Sequence, residues 1–236
     1  LLEKGAYYSL LQKMEKFCYK NANIIVGQSE EILQHISSYV GKPTFIYRNV
    51  PKFDPPLIKK IESSNEIKIV YAGLLGVAQG IFEICQRISF PENVSLHIYG
   101  AGPETEKILK LKKENIHFYG ELGRDELHRE LQNYDIAFIP LIKRIYGSVP
   151  SKIFEYTRLG LPVLYAAGGE GGEIVKKESL GWVVPVNNLK ALQDFINTVS
   201  VTDLKLFPKE DVQRNSVSAF DFHKQFERFT TSIENI

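Results

Sequence analysis

One segment of the sequence brings hydroxyl, ammonium and carboxylate groups together over a few residues. Residues 147–163 predict a loop, a helix and then a buried strand. A helix that begins near Pro150 directs its free amide groups, with the hydroxyls of Ser148 and Ser151, at whatever lies in front of it. Such donors suit an anion, and the loop residues expected to contact it are Gly147, Ser148, Val149, Pro150 and Ser151.

Two charged side chains follow in the first turn of this predicted helix. Lys152 adds a cation where a diphosphate would need one, and Glu155 could accept hydrogen bonds from a sugar diol. We therefore take Lys152 and Glu155 as the candidate catalytic residues. An ordinary capped helix with a solvated lysine and glutamate would account for the same residues.

Three earlier strand-to-helix turns carry glycines, which let the backbone approach a ligand closely. The glycine-bearing turns are Gly73 to Gly76 with Gln79 and Gly80, Gly100 to Gly102, and Tyr119 to Leu122. None of them has the G-x-G-x-x-G pattern of a nicotinamide-binding domain, and no P-loop pattern occurs. The sequence also lacks D-x-D, the usual carboxylate pair for a metal–nucleotide complex, so we expect no metal site.

The elements that position these turns alternate regularly along the chain. Strand-like runs occur at 67–72, 95–99, 115–119, 135–139, 162–165 and 182–184. Helical patterns lie between them, at about 78–88, 103–113, 124–133, 151–159 and 171–178, and one follows at 188–199. This alternation predicts an α/β protein with a doubly wound parallel sheet, in which ligands bind beyond the carboxyl ends of the strands.

Both ends of the sequence differ from this central pattern. Apolar residues recur at helical spacing near both ends, at Tyr7, Leu11, Met14 and Cys18 and at Phe222, Phe226, Phe229 and Ile233. Two short strands are predicted near 23–26 and 44–47, around a helix that begins after Ser29. Residues 53–66 contain prolines and a polar stretch, and they predict a linker.

Composition excludes several classes of protein. The 236 residues suffice for one to two domains, and 44% apolar content is typical of a folded chain. Lys plus Arg is 29 and Asp plus Glu is 28, so the charge gives no reason to expect nucleic-acid binding. Cys18 and Cys85 fit no zinc spacing, and we expect both to be buried. The longest apolar run, 69–78, is too short to span a bilayer, and a chain that begins with Leu1 is expected to be a fragment.

In order along the chain, several segments resemble the retaining, nucleotide-sugar-dependent GT-B glycosyltransferases of family 4. The matching segments are 21–29, 46–50, 73–80, 100–103, 118–122 and 151–162. Within the family, the chain resembles bacterial O-antigen and capsule enzymes of the fucosamine-transferase type. Those enzymes carry a G-x-x-G-x-A-Q-G turn and a P-S-K-x-x-E-Y segment, found here at 73–80 and 150–156.

The resemblance implies a division of the chain. Residues 1–52 would be the end of the acceptor-side domain, 53–66 the linker, 67–204 the Rossmann-like donor-binding domain, and 205–236 helices that cross back toward the first domain. The donor would be a UDP- or GDP-sugar, and no cofactor would be needed. A missing domain would bind the glycan or polyprenyl-linked acceptor, so this chain alone should bind a donor without transferring sugar. The location would be cytoplasmic, or peripheral at the inner face of the plasma membrane for a longer protein.

The resemblance also assigns roles. Tyr119, Gly120, Glu121 and Leu122 would face the base, and Glu155 would hold the ribose. Amides near Gly73 to Gly76 and Ser148 to Ser151, with Lys152, would hold the diphosphate. The donor-binding residues implied in this way are Gly73, Leu74, Gly76, Gln79, Gly100, Gly102, Tyr119, Gly120, Glu121, Leu122, Gly147, Ser148, Val149, Pro150 and Ser151.

Two departures from the family pattern affect this assignment. The first glutamate of the family's E-x7-E motif falls on Gly147, so its contact to the donor sugar is lost or supplied elsewhere. An arginine and a lysine that contact the diphosphate in the family are replaced by Leu74 and Gln79. We expect Lys152 to provide that charge instead.

Three other functions remain open on the sequence. A nucleotide-sugar 2-epimerase uses the same fold, but it needs carboxylates and a histidine at the anomeric side of the cleft; Gly147 offers no such group, although a missing domain could. The loss of that glutamate also fits a non-catalytic nucleotide-sugar-binding module. The last alternative is an interaction domain without a ligand, and the exposed apolar stripes of the two terminal helices could pack on each other or form a dimer contact.

Overall fold

The first unit of the fold is a small pair of strands with two helices. A computed structural model describes residues 5–59 and 64–235. The unit consists of α1 (Ala6–Asn21), β1 (Ile25–Gly27), α2 (Glu30–Ser37) and β2 (Thr44–Ile46), with β1 and β2 parallel. Ser29 caps α2 as expected, because its hydroxyl accepts a hydrogen bond from the Ile32 amide at 3.2 Å.

The second unit is built on a six-stranded parallel sheet. Its strands are β3 (Ile67–Ala72), β4 (Val94–Tyr99), β5 (Ile116–Gly120), β6 (Ile136–Pro140), β7 (Val163–Ala166) and β8 (Gly181–Val183). Their spatial order is β5-β4-β3-β6-β7-β8. The chain adds β4 and β5 on one side of β3, then crosses back and adds β6, β7 and β8 on the other side. The predicted doubly wound sheet is confirmed, and its topological switch point lies beside β3.

Helices cover both faces of this sheet. They are α3 (Ile81–Arg87), α4 (Thr105–Leu109), α5 (Arg124–Leu131), α6 (Lys152–Arg158), α7 (Glu170–Lys177), α8 (Leu189–Thr198), α9 (Val201–Leu204), α10 (Lys209–Ala219) and α11 (Phe222–Glu234). Buried residues of α6, α7 and α10 form one core with β3, β6 and β7. Those of α3, α4 and α8 form a second core on the opposite face.

Several predicted boundaries are corrected by backbone geometry. The helix expected from about 78 begins at Ile81, because Gly80 before it adopts a left-handed conformation with φ of +67°. The helix expected over 103–113 covers only Thr105–Leu109, and Lys112 beyond it has φ of +44°. The predicted linker has neither helix nor strand at 53–59 and 64–66, and its residues 60–63 lie outside the described residues.

Helix α1 presents an exposed apolar face that differs from the predicted stripe. Tyr7, Leu10, Met14 and Phe17 are each more than half exposed. The prediction that both cysteines are buried is wrong for Cys18, which is exposed, whereas Cys85 is buried. The reason is that α1 turns its half-buried residues toward α2, and these are Tyr8, Leu11 and Tyr19.

The last helix of the chain returns to the first unit. Phe229 of α11 packs against Phe45 and Tyr47, with ring centroids 5.4 and 5.2 Å apart. The Gln225 amide group also brackets the backbone of Arg48 with two hydrogen bonds of 2.9 Å. Within residues 5–59 and 64–235, every helix is too short or too polar to cross a membrane.

One buried tyrosine ties α6 to the end of β3. The hydroxyl of Tyr156 donates to the carbonyl oxygen of Ala72 at 2.7 Å, and the amide of Ala72 donates back to it at 3.2 Å. Tyr156 has no exposed surface, so water cannot replace these bonds. This contact fixes the first turn of α6 beside the turn that follows β3.

We expect Tyr156→Phe to lower the free energy of unfolding by about 1–3 kcal/mol, because two buried backbone groups of Ala72 lose their partner. Urea unfolding followed through the fluorescence of Trp182, the single tryptophan of the sequence, measures this change. Tyr7→Phe, at a residue that is 64% exposed, is the matched control. Equal unfolding midpoints for the two variants would contradict the role of Tyr156.

Candidate functional site

The turns after β3, β4 and β5 are joined by their own backbones. The Gly73 amide donates to the Tyr99 carbonyl at 2.9 Å, and the Gly100 amide donates to the Gly120 carbonyl at 2.7 Å. Gly100 has φ of +131°, and a Cβ atom there would lie 1.9 Å from the Gly73 carbonyl oxygen. Position 100 therefore requires glycine, and the three turns form one rigid edge.

An open cleft of about 290 Å³ lies at this edge. The residues that line it are Ala72, Gly73, Leu74, Tyr99, Gly100, Ala101, Glu121, Leu122, Leu127 and Lys152. Lys152 is the cation and Glu121 the carboxylate of this lining. The structure thus brings together predicted residues from four separate turns, which are Gly73, Leu74, Gly100, Glu121, Leu122 and Lys152.

Lys152 reaches across the cleft to the glycine turn after β3. A Cβ atom at Gly73 would lie 3.3 Å from Cε of Lys152. The ammonium group is 5.1 Å from the centroid of the Tyr156 ring and 3.3 Å from Oε2 of Glu155. An ammonium group in this place can meet an anion that binds the glycine turn.

Glu155 is held as a carboxylate by two partners. His128 Nε2 lies 2.9 Å from its Oε1, and Lys152 approaches its Oε2. Burial raises the pKa of Glu155, but the hydrogen bond from His128 and the charge of Lys152 outweigh burial and lower that pKa to about 2. Each carboxylate oxygen keeps a further lone pair, so Glu155 can still accept hydrogen bonds from a ligand.

Tyr119 and Gln79 are among the predicted residues that do not line the cleft. Tyr119 is on the face of the sheet, where its ring stacks on Tyr99 at 4.8 Å and its hydroxyl is 2.9 Å from Nδ1 of His97. Burial and the nearby His117 lower the pKa of His97 to about 4. Gln79 instead lines a separate small cavity of about 30 Å³ between α3 and α8.

The remaining glycines of the turns are required for two different reasons. A Cβ atom at Gly102 would lie 2.5 Å from the carbonyl oxygen of Leu75, and one at Gly76 would lie 2.9 Å from Oε1 of Gln79, so these two glycines allow the turns to pack closely. A Cβ atom at Gly120 would meet no atom within 4 Å, but this residue ends β5 with a left-handed backbone, φ +76°, which favours glycine.

The loop before α6 lies between the sheet and the first unit. Gly147 has φ of +69° and packs against Ile32 of α2, whereas Val149 is buried in the core. The Ser148 amide donates to the Ile145 carbonyl at 3.1 Å within the loop. The loop therefore contacts both units.

The helix expected to begin near Pro150 begins at Lys152. The Ile153 amide bonds the Pro150 carbonyl across a tight turn, and the first regular helical bond joins the Glu155 amide to the Ser151 carbonyl at 3.1 Å. The Ser151 side chain makes no capping hydrogen bond.

Three residues of this region had no signal in the sequence. His128 follows Glu126 and Leu127 in a charged helix that is typical of a solvated surface, yet it contacts Glu155 and packs against Phe53, with ring centroids 4.7 Å apart. Tyr156 sits among apolar residues of α6. Glu31 is an ordinary acidic residue of a first helical turn, but it contacts the loop before α6. Only their positions in space reveal these contacts.

The free energy of unfolding at acid pH should depend on the ionisation of Glu155. Because its pKa falls from 4.5 to about 2 on folding, the stabilisation is present above about pH 5 and is lost as the pH falls toward 2. Between pH 5 and pH 2 the free energy of unfolding should fall less for Glu155→Gln than for the wild type, by on the order of 3 kcal/mol. Unfolding curves at several pH values test this, with Glu173→Gln at an exposed site of α7 as control. Parallel curves for Glu155→Gln and the wild type would contradict the ionised pair.

Comparisons with known proteins show similarity in sequence and in fold. The chain is 25% identical over 231 residues to the probable glycosyltransferase WbjE of Pseudomonas aeruginosa, a match that covers 88% of the chain and 58% of WbjE. The fold is similar to that of Anabaena Alr3699/HepE in complex with UDP and glucose, with a TM-score of 0.75 and 16% identity over 97% of this chain and 67% of that one. It is also similar to the apo form of the lipopolysaccharide outer core galactosyltransferase WaaB, with a TM-score of 0.69 and 15% identity over 91% and 62% of the two chains.

A family model gives the assignment. The model described as glycosyl transferases group 1 matches residues 67–200, which is more than half of the chain and contains the cleft, Lys152 and Glu155. The chain therefore belongs to the glycosyl transferases group 1 family.

Proposed function

We propose that this chain is the donor-binding part of a retaining family 4 glycosyltransferase. It would bind a UDP- or GDP-sugar, whose sugar is passed to a glycan or polyprenyl-linked acceptor in bacterial surface polysaccharide synthesis. The observation that carries the proposal is the cleft in which Lys152 meets the glycine turn after β3, with the ionised Glu155 paired to Lys152 behind it. The chain spans 58% of the length of WbjE, so donor binding is the part of the proposal that this chain can test directly.

Residues in or beside the cleft match the chemistry of the diphosphate, the ribose and the base. Lys152 supplies the positive charge for a diphosphate that bridges to the Gly73 turn. Glu155 supplies acceptor oxygens for the two ribose hydroxyls. Glu121 and Leu122 line the far side of the cleft, beside which the base would lie.

The same contacts would assist transfer. As the glycosidic bond breaks, its electrons stay with the diphosphate, whose negative charge grows. Lys152 and the amides around Gly73 would stabilise that charge most strongly at the transition state. The proposed mechanism needs no metal or cofactor, and donor binding should be unchanged by a chelator.

The proposed setting is the cytoplasm or the inner face of the plasma membrane, where nucleotide-sugars and lipid-linked acceptors meet. The donor is proposed to be UDP- or GDP-linked, and HepE in complex with UDP is a reason to test UDP first.

We expect the chain to bind either UDP or GDP in calorimetric titration, and Glu155→Ala to weaken that binding by about tenfold or more, since it removes charge-assisted hydrogen bonds. Glu173→Ala is the matched control, because Glu173 also pairs with a lysine three residues away, at 3.3 Å and at an exposed site. Binding of neither nucleotide by the wild type would overturn the proposed function.

A second series isolates the diphosphate contact. We expect Lys152→Ala to weaken UDP or GDP binding about tenfold while binding of the corresponding nucleoside changes less, because the ammonium group would meet the diphosphate and His128 still holds Glu155. Lys176→Ala, on the exposed partner of Glu173, is the control. Normal diphosphate binding by Lys152→Ala would show that another group supplies the charge.

A further inference from the structure

A network of four charged residues joins the first unit to the loop that leads into α6. Glu31, in the first turn of α2, bonds the guanidinium of Arg144 and accepts a hydrogen bond from the Gly147 amide at 2.9 Å. The hydroxyl of Tyr146 donates to the backbone carbonyl of Glu31 at 3.2 Å. A single residue of the first unit thus contacts three residues of the loop 142–151.

The network continues from the other side of α2. The Glu31 amide donates to Oε2 of Glu170 at 3.2 Å, and Oε1 of the same carboxylate pairs with Arg48 at 2.6 Å. Arg48 and Glu170 have side chains only 14% and 11% exposed. Helices α2 and α7 meet at their amino-terminal ends, and Glu31 and Glu170 neutralise two positive dipole ends that would otherwise repel.

Close packing also holds α2 against the loop 142–151. A Cβ atom at Gly147 would lie 2.3 Å from Cγ1 of Ile32, so α2 sits directly against the loop backbone. The backbone of Gly147 is also left-handed, with φ of +69°. The loop is therefore held in one position by a hydrogen bond, an ion pair and close packing, all from the first turn of α2.

We infer that Glu31 is a positioning residue for the donor site, because it holds the loop 142–151 in the conformation from which Lys152 and α6 begin. The inference rests on the proposed nucleotide binding in the adjoining cleft. Residues 148–151 lead directly into Lys152, so a loose loop would have to be ordered when the ligand binds, and ordering lowers affinity. Glu31 itself needs no contact with the ligand for this role.

The contact of Glu31 with the loop and the binding of nucleotide should be thermodynamically coupled. If the contact of Glu31 with the loop raises nucleotide affinity, then nucleotide binding must strengthen that contact by the same factor. Nucleotide should therefore slow hydrogen exchange at the Gly147 amide and in the first turn of α2, although α2 lies outside the cleft. A residue with a merely structural role would not produce this response.

The test compares Glu31→Ala with Glu30→Ala in the same chain. Both remove one carboxylate from the first turn of α2, so both lose the same favourable interaction with the helix dipole. Glu30 is exposed, and within the described residues its side chain has no hydrogen bond to the loop. We expect Glu31→Ala to weaken UDP or GDP binding about threefold to tenfold, Glu31→Gln to weaken it less, and Glu30→Ala to leave it unchanged.

Hydrogen exchange with and without nucleotide provides the second readout, and Trp182 fluorescence reports whether each variant remains folded. Wild-type affinity in a folded Glu31→Ala, or no nucleotide-dependent protection of α2 in the wild type, would overturn the inference while leaving the proposed function intact. If Glu31→Ala does not fold, the protection of α2 in the wild type and the affinity of Glu31→Gln decide the question. Absence of nucleotide binding by the wild type overturns the proposed function, and this inference with it.

Discussion

The pair of hydrogen bonds between Tyr156 and Ala72 is the contact on which the site depends. It joins the side chain of a helix to both polar groups of the last residue of β3, so α6 cannot move along the sheet edge without breaking two buried bonds. Lys152, one turn earlier in α6, is thereby brought to Gly73. A sheet edge made rigid by backbone hydrogen bonds and a helix fixed to it by the Tyr156 hydroxyl would together preorganise the site for the proposed diphosphate.

Charge in this protein is arranged in small balanced groups. Glu155 lies between Lys152 and His128, and the carboxylate stays ionised although it is largely buried. At the junction of the units, each carboxylate likewise meets a guanidinium, as Glu170 does with Arg48. Buried charges of this kind contribute little net stability, but the loss of one partner is costly, and this asymmetry makes them suitable for holding a precise geometry.

Local sequence patterns predicted most of the fold and about half of the residues that line the cleft. Alternating apolar runs with glycine turns predicted β3 to β8, because a buried parallel strand needs a continuous apolar stretch. Residues whose role depends on their own turn, such as Gly100 and Lys152, were also found. The rest could not be, since His128 and Glu31 meet their partners across 27 and 116 positions. Cys18 was misplaced because spacing reveals a stripe but not the side of α1 that faces the protein.

The close contact between Gly147 and Ile32 constrains how this protein can change over evolutionary time. A side chain at position 147 would need the residue at position 32 to shift or become smaller, and it would also have to tolerate the left-handed backbone there. These positions belong to different units and are far apart in the sequence, so we expect them to substitute together among relatives. Co-variation of positions 32 and 147 among relatives would then show, from sequences alone, that the two units are in contact there.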